Sequence, residues 1–508
     1  MVPHRPTQGN DSLPHSDALT VGRATARADR SIAAALAELL ARDVAEWSAH
    51  GFTPVKVRSV RSVFHGSLAG IPVHVKVFRA DTLADHVRDW VRKARGTAEA
   101  EHLVAARALG LPVVEPLAHG FALEDGRRRS FVVTRTAAGT PFTFATAAQE
   151  SLAQVGRLLR TVHDLGVKLL DLHPGNLLVV DHGEPVLLDL TSMAHGGELG
   201  LRERARALAF FCHELDGGAL DPIAAPLLAG YLARAALPAS LHDELVLATR
   251  RWRAAALPAF GRRAGRSCKH TETATRRRGV PRWFWHLDGD TSERRLACER
   301  FAAAPPPATK SGRRGSVWLV GDLAVKQREA AKAQRLFRAA YWLLFARVPA
   351  PTPVALRLHG GLGLVFAQRV GQATIADELA QGTLAGPGLA ATARQFGTSV
   401  GRLHAHGLGN RDLKLDNLVR DPSTGLVAMV DLDGVRRRSA LETRGRGADL
   451  GRLLAAFRGA GSPGGTATVR TFLRGYLRAH RRLLQDTPLR RLLLAADRRA
   501  GEWASAHR

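Results

Sequence analysis

Sulfur and long apolar runs are what this sequence has least of. Three cysteines, Cys212, Cys268 and Cys298, are scattered over 508 residues. Odd in number and far apart, they exclude a disulfide framework and a C-x-x-C zinc site, and they point to a reducing compartment. No apolar stretch approaches the roughly 18 uncharged residues of a membrane span. The tightest, Ala339 to Ala346, is far too short. The opening Met1-Val2-Pro3-His4-Arg5-Pro6 has no apolar core, so no secretory signal is expected and the expected location is cytoplasmic. Acidic residues are also few: 46 Asp and Glu face 73 Lys and Arg, for a net charge of +27 and a pI near 11.3. Lys is scarce, so Arg carries most of that charge. Paired CxxC motifs, basic-zipper heptads and an RNA-binding strand motif are all lacking, which argues against nucleic acid as the partner.

What is present describes a globular protein, 45% hydrophobic and 23% charged. Its length exceeds one ordinary core and suits two domains. Its positive field favours anionic partners: nucleotides, acidic lipid headgroups or anionic glycans.

Along the chain, residues 1–30 read as a disordered tail and Ser31 to Trp47 as an amphipathic helix with Ile32, Leu36, Leu39, Leu40 and Val44 on one face. The period then falls to two. Val55 to Val63 and Ile71 to Val77 predict strands joined at Leu68-Ala69-Gly70, the second carrying Lys76 between Val75 and Val77. A helix is expected from Gly96 to Leu109, with Glu99 as the partner of Lys76 and Glu101 as the alternative. Further strands follow to a hinge at Arg135 to Gly139. Then come a helix from Ala147 to Leu165, a hairpin over Leu177 to Leu190, and a mostly helical stretch from Arg202 to Leu257. Residues 258–310 are irregular, with an Arg276 to Arg278 run, Trp283-Phe284-Trp285 and Pro305 to Pro307, and read as a linker and lead-in. The Trp residues there are expected to pack locally under a solvated basic face.

The pattern then repeats. Ser316 to Leu319 and Leu323 to Lys326 predict a hairpin turning at Gly321-Asp322, with Lys326 in the place of Lys76. Val155-Gly156-Arg157-Leu158 and Val400-Gly401-Arg402-Leu403 precede His163 and His404. Each His stands eight residues before an Asp, Asp171 and Asp412. An Asn follows five further on, Asn176 and Asn417. An Asp then closes an apolar run, Asp189 and Asp431. An entire domain is duplicated. The expected fold is α+β: two tandem bilobal protein-kinase-like domains, each a small β-rich N-lobe and a helical C-lobe. The expected bounds are 1–30 tail, 31–257 domain 1, 258–310 linker and lead-in, and 311–508 domain 2.

These residue types are what phosphoryl transfer needs. Asp171 and Asp412 would orient the acceptor hydroxyl and take its proton. Asn176 with Asp189, and Asn417 with Asp431, would hold Mg2+ through oxygen. Lys76, steadied by Glu99, and Lys326 would grip the phosphates of ATP.

Both halves resemble the lipopolysaccharide kinase (Kdo/WaaP) family of the protein-kinase-like superfamily. In the first half the resemblance is carried by Val75-Lys76-Val77, Leu109-Gly110-Leu111-Pro112, Asp171-Leu172-His173-Pro174-Gly175-Asn176 and Leu188-Asp189. In the second it is carried by Val325-Lys326, Arg411-Asp412-Leu413-Lys414-Leu415-Asp416-Asn417 and Val430-Asp431-Leu432-Asp433. It implies ATP- and Mg2+-dependent phosphorylation of a sugar hydroxyl in lipopolysaccharide core or a similar anionic glycolipid, with peripheral contact at the inner face of the bacterial inner membrane.

Three departures stand against the pattern. The second copy has no carboxylate between Ala330 and Ile375 to pair with Lys326, and Glu329 lies off the expected helix face. Leu170 stands where kinases often have Arg before the catalytic Asp. Neither copy has a full G-x-G-x-x-G loop; Gly66 with Gly70, and Gly312 with Gly315, are partial substitutes. Two rival readings follow: a protein Ser/Thr kinase, suggested by Arg411-Asp412-Leu413-Lys414, and a pseudokinase scaffold in which one or both copies are inactive.

Overall fold

The computed structural model describes residues 13, 15–58, 61–79, 93–180, 183–215, 218–233, 238–268, 270–274, 279–287, 292–313, 315–437, 443–459, 465–483 and 489–506. The chain divides into two units, Met1–Thr249 and Arg250–Arg508.

In the first unit, α1 (Ala33–Leu40) and a 3-10 helix at Val44–His50 accompany a seven-stranded antiparallel sheet. Its strands are β1 (Ser16–Val21), β2 (Ala24–Asp29), β3 (Thr53–Arg58), β4 (Arg61–Leu68), β5 (Ile71–Phe78), β6 (Pro116–Glu124) and β7 (Arg127–Arg135), in the order β1-β2-β6-β7-β5-β4-β3. Period-two alternation puts Val73, Val75 and Val77 of β5 in a core with Trp47, Phe64 and Phe131. Lys76 must therefore face the other way. A second core belongs to the helical lobe, around Leu152, Val155, Leu159, Phe211 and Tyr231. Its helices are α3 (Gln149–Asp164), α4 (Leu201–Phe211) and α5 (Ala225–Leu232); α2 (Arg95–Ala108) follows the sheet's Lys strand.

The second unit repeats this plan. Its strands are β8 (Thr271–Ala274), β9 (Arg282–His286), β10 (Lys310–Gly312), β11 (Gly315–Val320), β12 (Leu323–Glu329), β13 (Pro353–His359) and β14 (Leu362–Gln368). Their order, β8-β9-β13-β14-β12-β11-β10, is that of the first sheet. Helix α6 (Ser292–Ala303) precedes β10 and α7 (Ala330–Phe345) follows the Lys strand. The helical lobe holds α8 (Gly386–Ala405), α9 (Thr443–Gly459), α10 (Gly465–Leu483) and α11 (Leu489–Ala506). The fold is α+β, with a β-rich and a helical part in each unit.

Two expectations are corrected. The disordered tail fails over Ser16–Asp29, where β1 and β2 form a hairpin and β2 pairs with β6; residues 1–12 lie outside the described residues. The alternating inward side chains of β2 are Ala24, Ala26 and Ala28, all buried. Alanine interleaved with Arg gives too weak a hydropathy alternation to announce a strand. Likewise, 258–310 is not simply a linker: it supplies two strands of the second sheet, β8 and β9, which extend it beyond β13, and helix α6. Phe284 and Trp285 are buried, Trp283 stacks on Trp285 at 4.6 Å, and the Arg282 and Arg295 guanidinium groups cover the Phe284 and Trp285 rings. Those rings are packed within the unit. The Arg276 to Arg278 run lies outside the described residues.

The repeat also has a different register from the one the Val-Gly-Arg-Leu tetrapeptides suggest. Gly156 of α3 abuts α5, where a Cβ would stand 2.0 Å from Leu227 O. Its counterpart is Gly397 of α8, where a Cβ would stand 2.1 Å from Phe472 O of α10. Each glycine is seven residues before its His, and each His Nδ1 meets a buried tyrosine hydroxyl: His163 with Tyr231 at 2.8 Å, His404 with Tyr476 at 2.9 Å. Gly401 is one helical turn further on.

Candidate active site

In the first unit the Lys strand, α2 and the end of the Leu177–Val179/Pro185–Leu187 hairpin converge. Lys76 Nζ donates to Glu99 Oε1 at 2.5 Å and to Leu188 O at 3.0 Å, and stands 3.9 Å from Asp189 Oδ2. Glu99 is fully buried. Burial pushes its carboxyl pKa up, and the Lys76 charge opposes that. Thr191 Oγ1 lies 2.5 Å from Asp189 Oδ1 and 3.1 Å from Glu99 Oε2, so its one proton serves one of the two carboxylates. Glu101, the alternative, pairs with Lys93 instead.

Asp189 has a further partner that the sequence did not point to. Arg61, at the start of β4, donates from Nη1 to Asp189 Oδ2 at 2.7 Å. Burial alone would raise the Asp189 pKa; Lys76, Thr191 and Arg61 outweigh it and hold the carboxyl well below the usual range. Residues 59–60, just before Arg61, lie outside the described residues. Gly66 sits within β4 against the Phe52 ring, so the glycine pair expected near the phosphates is not there.

The loop after the strand at Val167–Leu169 leaves Asp171 exposed and turns through a 3-10 segment at Pro174–Asn176. Asn176 Nδ2 donates to Asp171 O at 2.9 Å, and Leu188 N donates to Asn176 O at 3.0 Å. The carboxamide is thereby oriented with its NH2 group on the loop backbone, leaving Oδ1 as an acceptor.

The second unit reproduces this wiring. Asn417 Nδ2 donates to Asp412 O at 2.8 Å, and Val430 N to Asn417 O at 3.0 Å. Lys326 Nζ donates to Val430 O at 3.3 Å and to Asp431 Oδ1 at 3.1 Å. Burial pushes the Asp431 pKa up, but Lys326 outweighs it and holds the carboxyl low. Among the described residues no helix carboxylate reaches Lys326: Glu329 is exposed and pairs with Lys332 at 3.0 Å. Lys326, Asn417 and Asp431 line one cavity of about 320 Å³, whose walls include Val317, Ala324 and Leu336.

Asn410 and Asp449 support the second loop, and neither was singled out as a site residue. Asp412 N donates to Asn410 Oδ1 at 3.0 Å and Asn410 N to the buried Asp449 Oδ2 at 3.0 Å. A lone Asp ahead of Leu450, Leu453 and Leu454 was the available signal. Gly434 closes tightly over the loop: a Cβ there would stand 2.3 Å from Asn410 Oδ1 and 2.7 Å from Asp412 N.

Among the described residues no three His, Cys, Asp or Glu side chains gather as a metal site. One Asp and one Asn per unit still suit Mg2+, a hard cation that takes oxygen ligands and completes its shell with phosphates and water.

The comparisons bear on this geometry. The model of the lipopolysaccharide kinase (Kdo/WaaP) family matches residues 63–206, which contain Lys76, Glu99, Asp171, Asn176 and Asp189. The comparison with curated proteins finds no match. Among solved structures, one of WbdD is 16% identical with a TM-score of 0.27, covering 39% of this chain and 49% of its own. A second, described as the bifunctional kinase-methyltransferase WbdD, is 17% identical with a TM-score of 0.26, covering 37% and 47%. The chain thus spans about half the length of the solved structures it matches. Residues 63–206, the stretch that the family model matches, lie within the first unit.

Proposed function

We propose that the chain is an ATP- and Mg2+-dependent phosphotransferase acting on a sugar hydroxyl of lipopolysaccharide core or a similar anionic glycolipid. The observation that carries this reading is the buried Lys76–Glu99 pair beside Asp189, with Asn176 fastened to the backbone of Asp171. Lys76 is aimed for nucleotide phosphates. Asp171 is exposed at the loop surface, where an acceptor hydroxyl can reach it. Asn176 and Asp189 offer oxygen to Mg2+, whose contribution when bound is to neutralise phosphate charge. Asp189, now paired with Arg61, would hold that cation together with Asn176. In the second unit Lys326, Asn417, Asp431 and Asp412 take the corresponding roles.

Excess positive charge favours an acidic glycolipid and contact with an acidic membrane surface. Among the described residues no helix is long and apolar enough to cross a membrane, which is compatible with peripheral contact.

One observation favours a second reading for the second unit. Lys326 has no helix Glu and pairs with Asp431 itself, as in a domain that binds nucleotide without turnover. The deciding assay is phosphate incorporation from ATP into lipid-linked core glycan by wild-type, Asp171→Asn and Asp412→Asn chains. Loss with either substitution supports transfer at that unit. A wild-type chain that phosphorylates no glycan acceptor sinks the proposal.

A further inference from the structure

In each unit the residue two places after the Asp assigned to Mg2+ donates its amide to that carboxylate. Thr191 N meets Asp189 Oδ1 at 3.2 Å, and Asp433 N meets Asp431 Oδ1 at 3.3 Å. What anchors that residue differs. In the first unit the Thr191 hydroxyl lies between Asp189 and Glu99, which ties the loop to helix α2. In the second unit the Asp433 carboxylate is tied to the Lys strand instead. Arg328 of β12 donates to Asp433 Oδ2 from Nη2 at 2.9 Å and from Nε at 3.3 Å.

The strand registers explain the difference. Lys76 lies opposite Val63 of β4, and Lys326 lies opposite Val317 of β11. Two residues before Val63 stands Arg61, the partner of Asp189; two before Val317 stands Gly315. A Cβ on Gly315, at φ +117°, would lie 2.1 Å from Gln327 O and 3.2 Å from Arg328 Nη1, so no side chain can take the place of Arg61. Two residues after the Lys the roles reverse: Phe78 is buried in the first unit, and Arg328 reaches the loop in the second. The helices differ in step. Ser130 and Gly363 each stand two residues before the strand partner of the Lys, Val132 and Val365. Gly96 N of α2 donates to Ser130 Oγ, and a Cβ on Gly363 would stand 2.4 Å from the Cβ of Ala333 in α7. Three residues further on, Glu99 is therefore matched by Leu336, which is buried and lines one cavity with Lys326 and Asp431. An apolar Leu336 accepts nothing from Lys326 or from the loop.

We propose that Arg328 and Asp433 are positioning residues for Asp431, a strand-borne substitute for the missing helix carboxylate, so that the second unit holds its cation ligand without help from α7. The inference rests on the reading of that unit as a Mg2+–nucleotide site and deepens it. Asp433 is fastened at three points: its carboxylate by Arg328, its carbonyl by Arg436 Nη1 at 2.7 Å, and its amide on Asp431. The Arg328 side chain is only 8% exposed and its Nη1 is spent on Gln327 O at 2.8 Å, so the guanidinium has one orientation. A charge-assisted contact of this kind is strong and directional. Lys326 and the Asp433 amide meet the same oxygen, Asp431 Oδ1, which leaves the other oxygen, Oδ2, for the cation.

The test uses the full chain carrying Asp189→Asn, in which Mg2+-dependent nucleotide binding reports on the second unit. A non-hydrolysable ATP analogue is titrated calorimetrically, once with Mg2+ and once with EDTA, and the readout is the ratio of the two affinities. Arg328→Gln and Asp433→Asn should each lower that ratio about tenfold or more, as loss of a partner that orients a cation ligand does, with binding in EDTA unchanged. The double variant should lose no more than either single one, because both act through one contact. It also leaves no unpaired buried charge, so it decides the matter where a single variant fails to fold. An unchanged ratio in the double variant, equal losses with and without Mg2+, or a parent chain indifferent to Mg2+ overturns the inference. So does a ratio that rises in Arg328→Gln, the result expected if Asp433 were itself a cation ligand masked by Arg328. Phosphate transfer to core glycan is measured on the same chains. The expected loss of ratio in a parent chain that transfers no phosphate supports the positioning role and removes the phosphotransferase reading of the second unit.

Discussion

Replacing Glu99 with Ala leaves the Lys76 ammonium in the interior without its main counter-charge. Glu99 is fully buried, and the Lys76 side chain is only 12% exposed, so water cannot substitute for the carboxylate. Removing one partner of a buried ion pair costs about 3–5 kcal/mol. Lys76 keeps Leu188 O at 3.0 Å and can close on Asp189 from 3.9 Å, which places the loss at the low end, about 3 kcal/mol. For a unit of this size that lowers the melting temperature by about 6–12 °C. Glu99→Gln retains acceptor and donor atoms near Lys76 and Thr191 and should cost less. Calorimetry on the full chain reads the shift, and phosphate transfer by an Asp412→Asn background reads the function. In the Ala variant Lys76 neutralises Asp189 rather than steadying nucleotide, so KM for ATP rises. An Ala variant that melts within about 2 °C of wild type, well below the drop expected, would refute the argument that this pair is buried and mutually dependent.

Other substitutions probe the framework. The His163 pKa is pushed down by burial from 6.5 to about 4, so its stabilising share is whole above pH 6.5 and is lost as pH falls from there through 4. That span is worth up to about 3 kcal/mol; urea titrations of wild type and His163→Gln between pH 7 and 4, where about 2.5 pK units separate folded and unfolded His, should show the Gln variant with the flatter pH slope. Gly434→Ala drives a methyl into Asn410 Oδ1 and the Asp412 amide, and should abolish transfer by the second unit at a stability cost of about 1–3 kcal/mol, measured by the same transfer assay and melting curve. Gly397→Ala forces α8 away from α10 and should destabilise the second unit by a similar amount, about 1–3 kcal/mol, by calorimetry; a bigger loss in transfer than in stability would contradict a purely packing role.

How much was legible in the sequence follows from the range of each interaction. The Asp171–Asn176 and Asp412–Asn417 spacings are local, set by a short 3-10 turn, and so can be read directly. Lys76 on an alternating strand and Glu99 on the next helix are 23 residues apart, yet consecutive elements are adjacent in space often enough to pair them. Arg61 and Asp189 are 128 residues apart, and nothing local marks a guanidinium as the partner of a distant carboxylate. The same holds for the 39 residues between Asn410 and Asp449.

The sequence by itself determined the duplicated set of Lys, Asp, Asn and Asp, because those residues sit at fixed offsets within local elements. It missed β2 because alanine carries little hydropathy signal. It misread 258–310 because the aromatic cluster there becomes strand only when β13 is beside it. Only the tertiary structure decided that Asp189 is held by Arg61 and that Lys326 pairs with Asp431, with no helix carboxylate beside it among the described residues. Contacts of that kind depend on which elements the packed core brings together, and charge alternation along the chain does not encode them.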